Sequence, residues 1–431
     1  MGGAIASGGK RQLSDMMEYE WGSPSLSTVT APDSTRVVSP SVAPTPLGKA
    51  RLFTSALVLL SLGHFSVDFY STAVATLQPV LAEHYRLSLT QAGFISATFM
   101  LASAVMQVFF GLVSDRIPSR LFAVIGLLVA AVFFSSMGLA PGFKSLLFFI
   151  FLGGLGVAAF HPPSTSQVTE TAGVRRRLAF SIFLTAGMLG VASSPAYFSF
   201  MVETLGLESL WWAALPALPI AAFLLWRLPP LSANSQTPAA IDWAAFSKHR
   251  KTLSLHYTLV VIRSIVQLAL GQFLTLYLYL ERGFTLKQAS LGLTVFFFAS
   301  ALSAFTGGPL AERVGGKPVV LFSLAASGPF LALFLGTRGW ISFVGLFIGI
   351  LILLLTTPVI VVMAQDLVPS QAGTIAGLMM GFGWGMAGIT CIPLIGWTAD
   401  RVGLETTLWG VVLLPIAAFF LALKLPATAR N

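Results

Sequence analysis

Twelve stretches of this chain stay apolar for 18 or more residues between polar or turn-forming boundaries: 53–81, 90–114, 121–141, 145–168, 179–204, 208–227, 253–280, 288–311, 318–337, 340–364, 374–399 and 405–425. A helix of roughly 20 residues crosses a bilayer core of about 30 Å, and within lipid each backbone N–H and C=O must be satisfied inside its own segment. The pattern therefore predicts an all-α polytopic membrane protein with 12 transmembrane helices. Composition agrees, with 55% apolar and 10% charged residues against about 25% charged in a soluble domain. A single cysteine, Cys391, excludes an intrachain disulfide framework.

Residues 1–50 are rich in Ser, Pro, Thr and Gly and too poor in large apolar residues to form a core, which predicts a disordered tail. They also lack the short apolar stretch of a cleaved signal peptide. Pro229, Pro230, Pro238, Asp242, Lys248, Arg250 and Lys251 mark residues 228–252 as a linker between six-helix bundles at 51–227 and 253–431. Lys and Arg are retained on the cytoplasmic side during insertion. With both termini inside, 18 of the 25 fall on that side and six on the other, while Arg263 lies within a span. Both termini are expected in the cytoplasm, and the net charge of +9 reads as topology rather than nucleic-acid binding.

The halves repeat. GLVSDRIPSR from Gly111 and GPLAERVGGK from Gly308 each place an acid at +4 (Asp115, Glu312), an arginine at +5 (Arg116, Arg313) and a base at +9 (Arg120, Lys317). Gly206-Leu207-Glu208 returns as Gly403-Leu404-Glu405 at the same offset of 197 residues. A duplicated six-helix unit is a signature of secondary transporters.

The first of these loops resembles the conserved loop motif of the major facilitator superfamily. Physically, Gly111 permits close helix approach, and Asp115 is suited to a helix N-terminus of the other half, with Arg116 and Arg120 holding it. The resemblance implies that these residues and their counterparts Gly308, Glu312, Arg313 and Lys317 form a conformational gate; a purely topological role is the alternative. Three further segments resemble the fosmidomycin-resistance branch of that superfamily: HFSVDFY in span one, FHP at Phe160–Pro162, and the stretch from Ala364 to Gly388. That resemblance covers about residues 53–425 and implies proton-driven export of a small anionic phosphonate. Where the branch carries polar groups, Pro163, Ser166, Phe180, Leu184 and Met188 stand here, which leaves the cargo open.

Asp68 falls about 22 Å along span one, near the bilayer midplane, with His64 one turn earlier on the same face. An aspartate there costs about 2.5 to 3.5 kcal/mol on insertion scales, so Asp68 is expected to face the bundle interior as a proton carrier assisted by His64. The alternative is a pair that merely satisfies itself. Arg263, the one Lys or Arg away from the ends of these runs, has Gln267 a turn later and Gln272 beyond. A guanidinium offers a planar fork suited to carboxylate or phosphonate, so Arg263, Gln267, Gln272 and His161 form the expected anion site. A permanent ion pair between Arg263 and Asp68 is the competing role. His161, Pro162 and Pro163 are expected to interrupt span four, and Gly377, Gly381 and Gly385 to form a packing face or gating bend in span eleven.

No metal-ligand spacing, nucleophile–base pair or nucleotide loop appears in the sequence, so neither an enzyme nor a cofactor is expected. The sequence predicts a monomeric, proton-coupled antiporter in a bacterial inner membrane, surrounded by lipid and exporting a small anionic solute. Its rivals are a transporter of the same fold for a metabolite anion or a chelated metal, and a non-transporting assembly or receptor protein that uses the tail.

Overall fold

The computed structural model describes residues 55–117, 119–172, 176–229 and 243–426, which form helices joined by short turns. The expected tail at 1–50, most of the linker at 228–252 and the side chains of Asp115, Arg176 and Arg177 lie outside the described residues. Among the described residues, eleven helices are long and apolar enough to cross a bilayer: α1 (Ser55–Thr76), α2 (Leu89–Ser114), α4 (Phe143–Thr171), α5 (Leu178–Leu205), α6 (Leu210–Arg227), α7 (Arg250–Leu280), α8 (Leu286–Val314), α9 (Gly316–Gly336), α10 (Trp340–Gln365), α11 (Thr374–Val402) and α12 (Leu404–Ala422). The remaining apolar run yields α3 (Leu121–Ser135), whose 15 residues span only about 22 Å. It stops because residues 137–139 turn as a 3-10 helix, tied down by the Tyr85 hydroxyl, which donates to the Met137 and Ala140 carbonyls at 2.8 and 2.9 Å.

Three features depart from a set of uniform helices. Helix α4 runs unbroken through Pro162 and Pro163, contrary to the expected interruption; His161 Nδ1 supplies a side-chain donor to the Val157 carbonyl in the turn the prolines loosen. Helix α1 breaks instead at Thr72, where the Ser71 and Thr72 hydroxyls both donate to the Asp68 carbonyl, competing with the helical ladder. Helices α2 and α11 contain π turns at Leu101–Val105, Gly377–Phe382 and Ala387–Cys391.

Buried side chains of α1 and α3–α6, including Phe134, Phe160, Phe183 and Phe198, form the core of the first half. The second half has two clusters, one of which takes in Ala75, Ala92 and Met100 of the first half and so crosses between them. The sequence offset of 197 residues reappears as matched bonding. Capping boxes open α2 at Ser88 and Gln91 and α8 at Thr285 and Gln288. Gly206 and Gly403, at φ 76° and 88°, take left-handed backbone that favours glycine. The bases Arg120 and Lys317 each donate to carbonyls where the last helix of their own half ends, Leu228 at 2.9 Å and Leu425 at 2.6 Å.

At the end of the bundle away from Ser55, matched acids tie the halves together. Asp400 of α11 accepts from the Leu89 and Thr90 amides, at 2.7 and 2.9 Å, and from the Thr90 hydroxyl at the start of α2. Its counterpart Glu203 of α5 accepts from the Lys287 amide at the start of α8, at 3.1 Å. Each acid meets unsatisfied amides at the positive end of a helix dipole. Thr275 also donates to the Ala75 carbonyl at 2.7 Å and Tyr279 to Glu83 at 3.1 Å, both between halves.

The glycines show where this closure ends. A Cβ on Gly93 would lie 2.8 Å from the Ile392 carbonyl oxygen, and one on Gly388 2.5 Å from Met100, so α2 and α11 touch there. Toward the Ser55 end the same test finds Ala104 at 3.8 Å from Gly385 and nothing within 4 Å of Gly377, Gly381 or Gly308. Gly377 and Gly381 therefore form no close packing face here; both lie within the π turn Gly377–Phe382, which fits the bending alternative. The halves meet at the far end and part toward the Ser55 end.

Replacing Asp400 and Glu203 together with alanine removes two helix caps, each loss costing about 1 kcal/mol. Spin labels at Glu208 and Arg338, exposed on the far end of opposite halves, are expected to show a longer or broader distance distribution in the variant. An unchanged distribution means the caps do not hold the halves together.

Candidate functional site

Helical spacing brings His64 and Asp68 onto one face of α1, and the structure adds His161 from α4. Asp68 Oδ2 lies 3.1 Å from His64 Nε2, and Oδ1 lies 3.3 Å from His161 Nε2. His64 is buried, with its ring stacked on Phe183 at a centroid distance of 4.1 Å, and the two imidazoles meet edge to face at 5.0 Å.

The far side of each ring fixes its chemistry. His64 Nδ1 lies 2.8 Å from the Phe183 carbonyl, and His161 Nδ1 lies 2.8 Å from the Val157 carbonyl. A carbonyl only accepts, so each Nδ1 carries hydrogen and, in a neutral ring, Nε2 is left with a lone pair. Both lone pairs are aimed at a carboxylate, itself acceptor-only when ionised. With Asp68 ionised and both rings neutral, none of the three facing atoms has a hydrogen to give, so one added proton, on a ring or on the carboxyl, or another cation would complete the cluster.

This geometry requires Gly187 of α5. A Cβ there would lie 2.6 Å from Asp68 Oδ2 and from His64 Nε2. Gly190, one turn on, lets α5 approach the Phe65 backbone closely. Sequence reasoning missed Gly187 because a glycine in an apolar helix gives no sign of which side chain it faces.

Asp68 and His161 line a cavity of about 330 Å³ between the halves. Its polar lining includes Ser71, Thr72, Ser103, Gln107, Gln267 and Gln272, and its apolar lining includes Phe99, Met100, Phe296, Phe297 and Trp384. The contribution of α5 is Val191; Phe180, Leu184 and Met188 are not among the lining residues.

Arg263 does not join Asp68. It is 5% exposed and sits behind Gln267: its guanidinium donates to Gln267 Oε1 at 2.7 Å, Thr357 Oγ1 at 2.9 Å and Ser264 Oγ at 3.0 Å. Among the described residues no carboxylate lies within salt-bridge distance of it. Gln267 thus stands between the buried cation and the cavity. Gln272 accepts from Ser96, which in turn accepts from Gln78, in a buried chain between the halves. Its carboxamide both lines the cavity and helps close the far end.

The gate motifs sit at the parted end. Gly111 has Pro162 as its nearest neighbour, 3.7 Å from a built Cβ, while Arg116, Glu312 and Arg313 are exposed. Arg120 and Lys317 are engaged within their own halves, as described above. The acids seen capping helices across the halves are Asp400 and Glu203, at the opposite end. In the sequence Glu203 looks like an ordinary helix-end charge, whereas Asp400 follows Gly396 at +4 and precedes Arg401, the same spacing as Gly111, Asp115 and Arg116.

The Major Facilitator Superfamily model matches residues 60–294 and 257–431. An uncharacterized MFS-type transporter, YfnC of Bacillus subtilis, is 32% identical over 87% of this chain and 93% of its own length. The fosmidomycin resistance protein of Escherichia coli is 29% identical over 83% of this chain and 89% of its own length. Among solved structures, the nucleoside transporter NupG superposes with a TM-score of 0.70 at 14% identity, covering 86% of this chain and 99% of that one. A bacterial homologue of the human lysosomal transporter Spinster, in an inward-facing and occupied conformation, gives 0.69 at 16% identity, over 88% of this chain and 98% of that one. At these identities the two structures speak for the fold alone.

Gly187→Ala is expected to push His64 away from Asp68 and lower transport at least tenfold while the protein still folds. Gly190→Ala, which presses on backbone instead, is expected to lower thermal stability. Wild-type flux in Gly187→Ala would show that the tight fit around Asp68 is not needed.

Proposed function

The chain belongs to the Major Facilitator Superfamily, and from that premise we propose that it is a proton-coupled antiporter that exports a small anionic solute by alternating access. The observation that carries the proposal is the cavity between the halves, with a cluster that demands positive charge on one wall and an amide backed by a buried guanidinium on the other. A proton shared by Asp68, His64 and His161 supplies that charge. When the solute enters, Gln267 and Arg263 meet its anionic group, and Gln272 contributes from the same helix.

The excess of Lys and Arg at the Ser55 end supports a cytoplasmic location for both termini. On that reading the cavity faces the cytoplasm, Asp400 and Glu203 close the outside, and the gate residues Gly111, Asp115, Arg116, Arg120, Gly308, Glu312, Arg313 and Lys317 act at the open side. A monomer in the bacterial inner membrane is the simplest assembly, since each half buries its own core and the site is complete in one chain. The fosmidomycin resistance relative supports a phosphonate-like cargo. The aromatic lining, to which α5 adds the apolar Val191, favours a second reading, the same mechanism with a different anion.

In inverted vesicles Asp68→Asn is expected to abolish uptake driven by a pH gradient. Arg263→Lys, which keeps charge and loses the fork, is expected to weaken anion affinity about tenfold. Unchanged pH-driven flux in Asp68→Asn would remove this residue from the coupling.

A further inference from the structure

The positive charge the cluster requires need not be a proton. We propose that His64, Asp68 and His161 form a binding site for a divalent transition-metal ion of the Zn²⁺ or Co²⁺ class. The ligand atoms of the three side chains lie within 4.8 Å of one another. Tetrahedral bonds of about 2.0–2.2 Å set ligands roughly 3.4 Å apart; His64 Nε2 lies 3.1 Å from Asp68 Oδ2 and His161 Nε2 lies 3.3 Å from Oδ1, each near that separation but on different oxygens of the carboxylate. A single ion would draw the three ligand atoms, which lie within 4.8 Å of one another, closer by at most about 1.4 Å on that same geometry.

The surroundings are those of a built site. A metal-binding histidine characteristically donates its other ring N–H to a carbonyl or carboxylate, which fixes its tautomer and aims the remaining lone pair. Both histidines do so, to Phe183 and Val157. His64 is held by its stacking on Phe183, and Gly187 keeps the space beside it open. Two imidazoles and one carboxylate favour a borderline-soft ion over Ca²⁺ or Mg²⁺, which require six or more oxygens. No Lys or Arg lines the cavity to repel a dication.

Three protein ligands leave a tetrahedral ion one free position. Because Asp68 and His161 line the cavity, that position faces it, where a water or an anionic oxygen of the cargo can complete the shell. The inference stands apart from proton coupling, because it needs only three converging ligand atoms and is measured without flux.

Full-length protein purified without a polyhistidine tag, stripped with chelator and titrated with Co²⁺ is expected to bind one equivalent, giving the visible absorption of a tetrahedral site that Zn²⁺ displaces. His64→Ala and His161→Ala are each expected to weaken binding at least tenfold. His256→Ala, a buried histidine whose ring bonds the Thr252 carbonyl on α7, is expected to leave it unchanged. If the cluster variants fail to fold, X-ray absorption at the zinc edge of the wild-type protein decides, with two imidazoles expected in the coordination shell. A silent Co²⁺ titration, a spectrum that survives His161→Ala, or a zinc shell without imidazole overturns the proposal.

Discussion

The interior of a bilayer supplies no hydrogen-bond partner, so every polar group placed there must be closed by another part of the protein. That constraint makes each span a helix. It also explains where the buried polar groups sit: the two histidines against carbonyls and Asp68, Arg263 against Gln267, Thr357 and Ser264, and Ser96 between Gln78 and Gln272. The closure is incomplete in places, Arg263 Nε and His256 Nε2 having no hydrogen-bond partner among the described residues, and at the Asp68 cluster the donors of both rings are already used on the outside. A site left wanting a cation inside a low-dielectric protein is costly unless function retains it.

Duplication supplies the other organising principle. Matched residues 197 apart do two distinct jobs at the two ends of the bundle. Arg120 and Lys317 bind the ends of their own sixth helices and so brace each half as a unit. Glu203 and Asp400 reach across to the other half and hold only while the far end is shut. Bonds inside each half can survive a rocking motion that the cross-links cannot, which places the division between rigid body and moving joint in particular side chains.

Much of this was legible in the sequence because it depends on periodicity. Apolar run length located the helices, and the repeat offset was readable from Gly111 and Gly308 alone. The His64–Asp68 pair followed from helical spacing. What escaped were contacts between helices. His161 looked like a helix breaker or a cargo contact, and only the fold turns it toward Asp68. Arg263 looked like an anion ligand or, in the competing role, a partner for Asp68, but its guanidinium is taken up by neighbours in its own half. The third helix was overestimated because hydropathy does not register where Tyr85 pins a turn. A helix cap between halves was expected of Asp115, whose side chain lies outside the described residues; the caps seen among the described residues come from Glu203 and from Asp400, which stands in a G-x-x-x-D-R stretch of its own, Gly396 to Arg401.

Trp384 lies between the two π turns of α11 and lines the cavity. Each π turn holds one residue more than the α-helical count. Passing that surplus across position 384 would swing the indole by about 100°, the rotation of one residue in a 3.6-residue turn. The bulkiest ring on the chamber wall would then work as a shutter, altering the shape offered to a cargo without any helix having to travel.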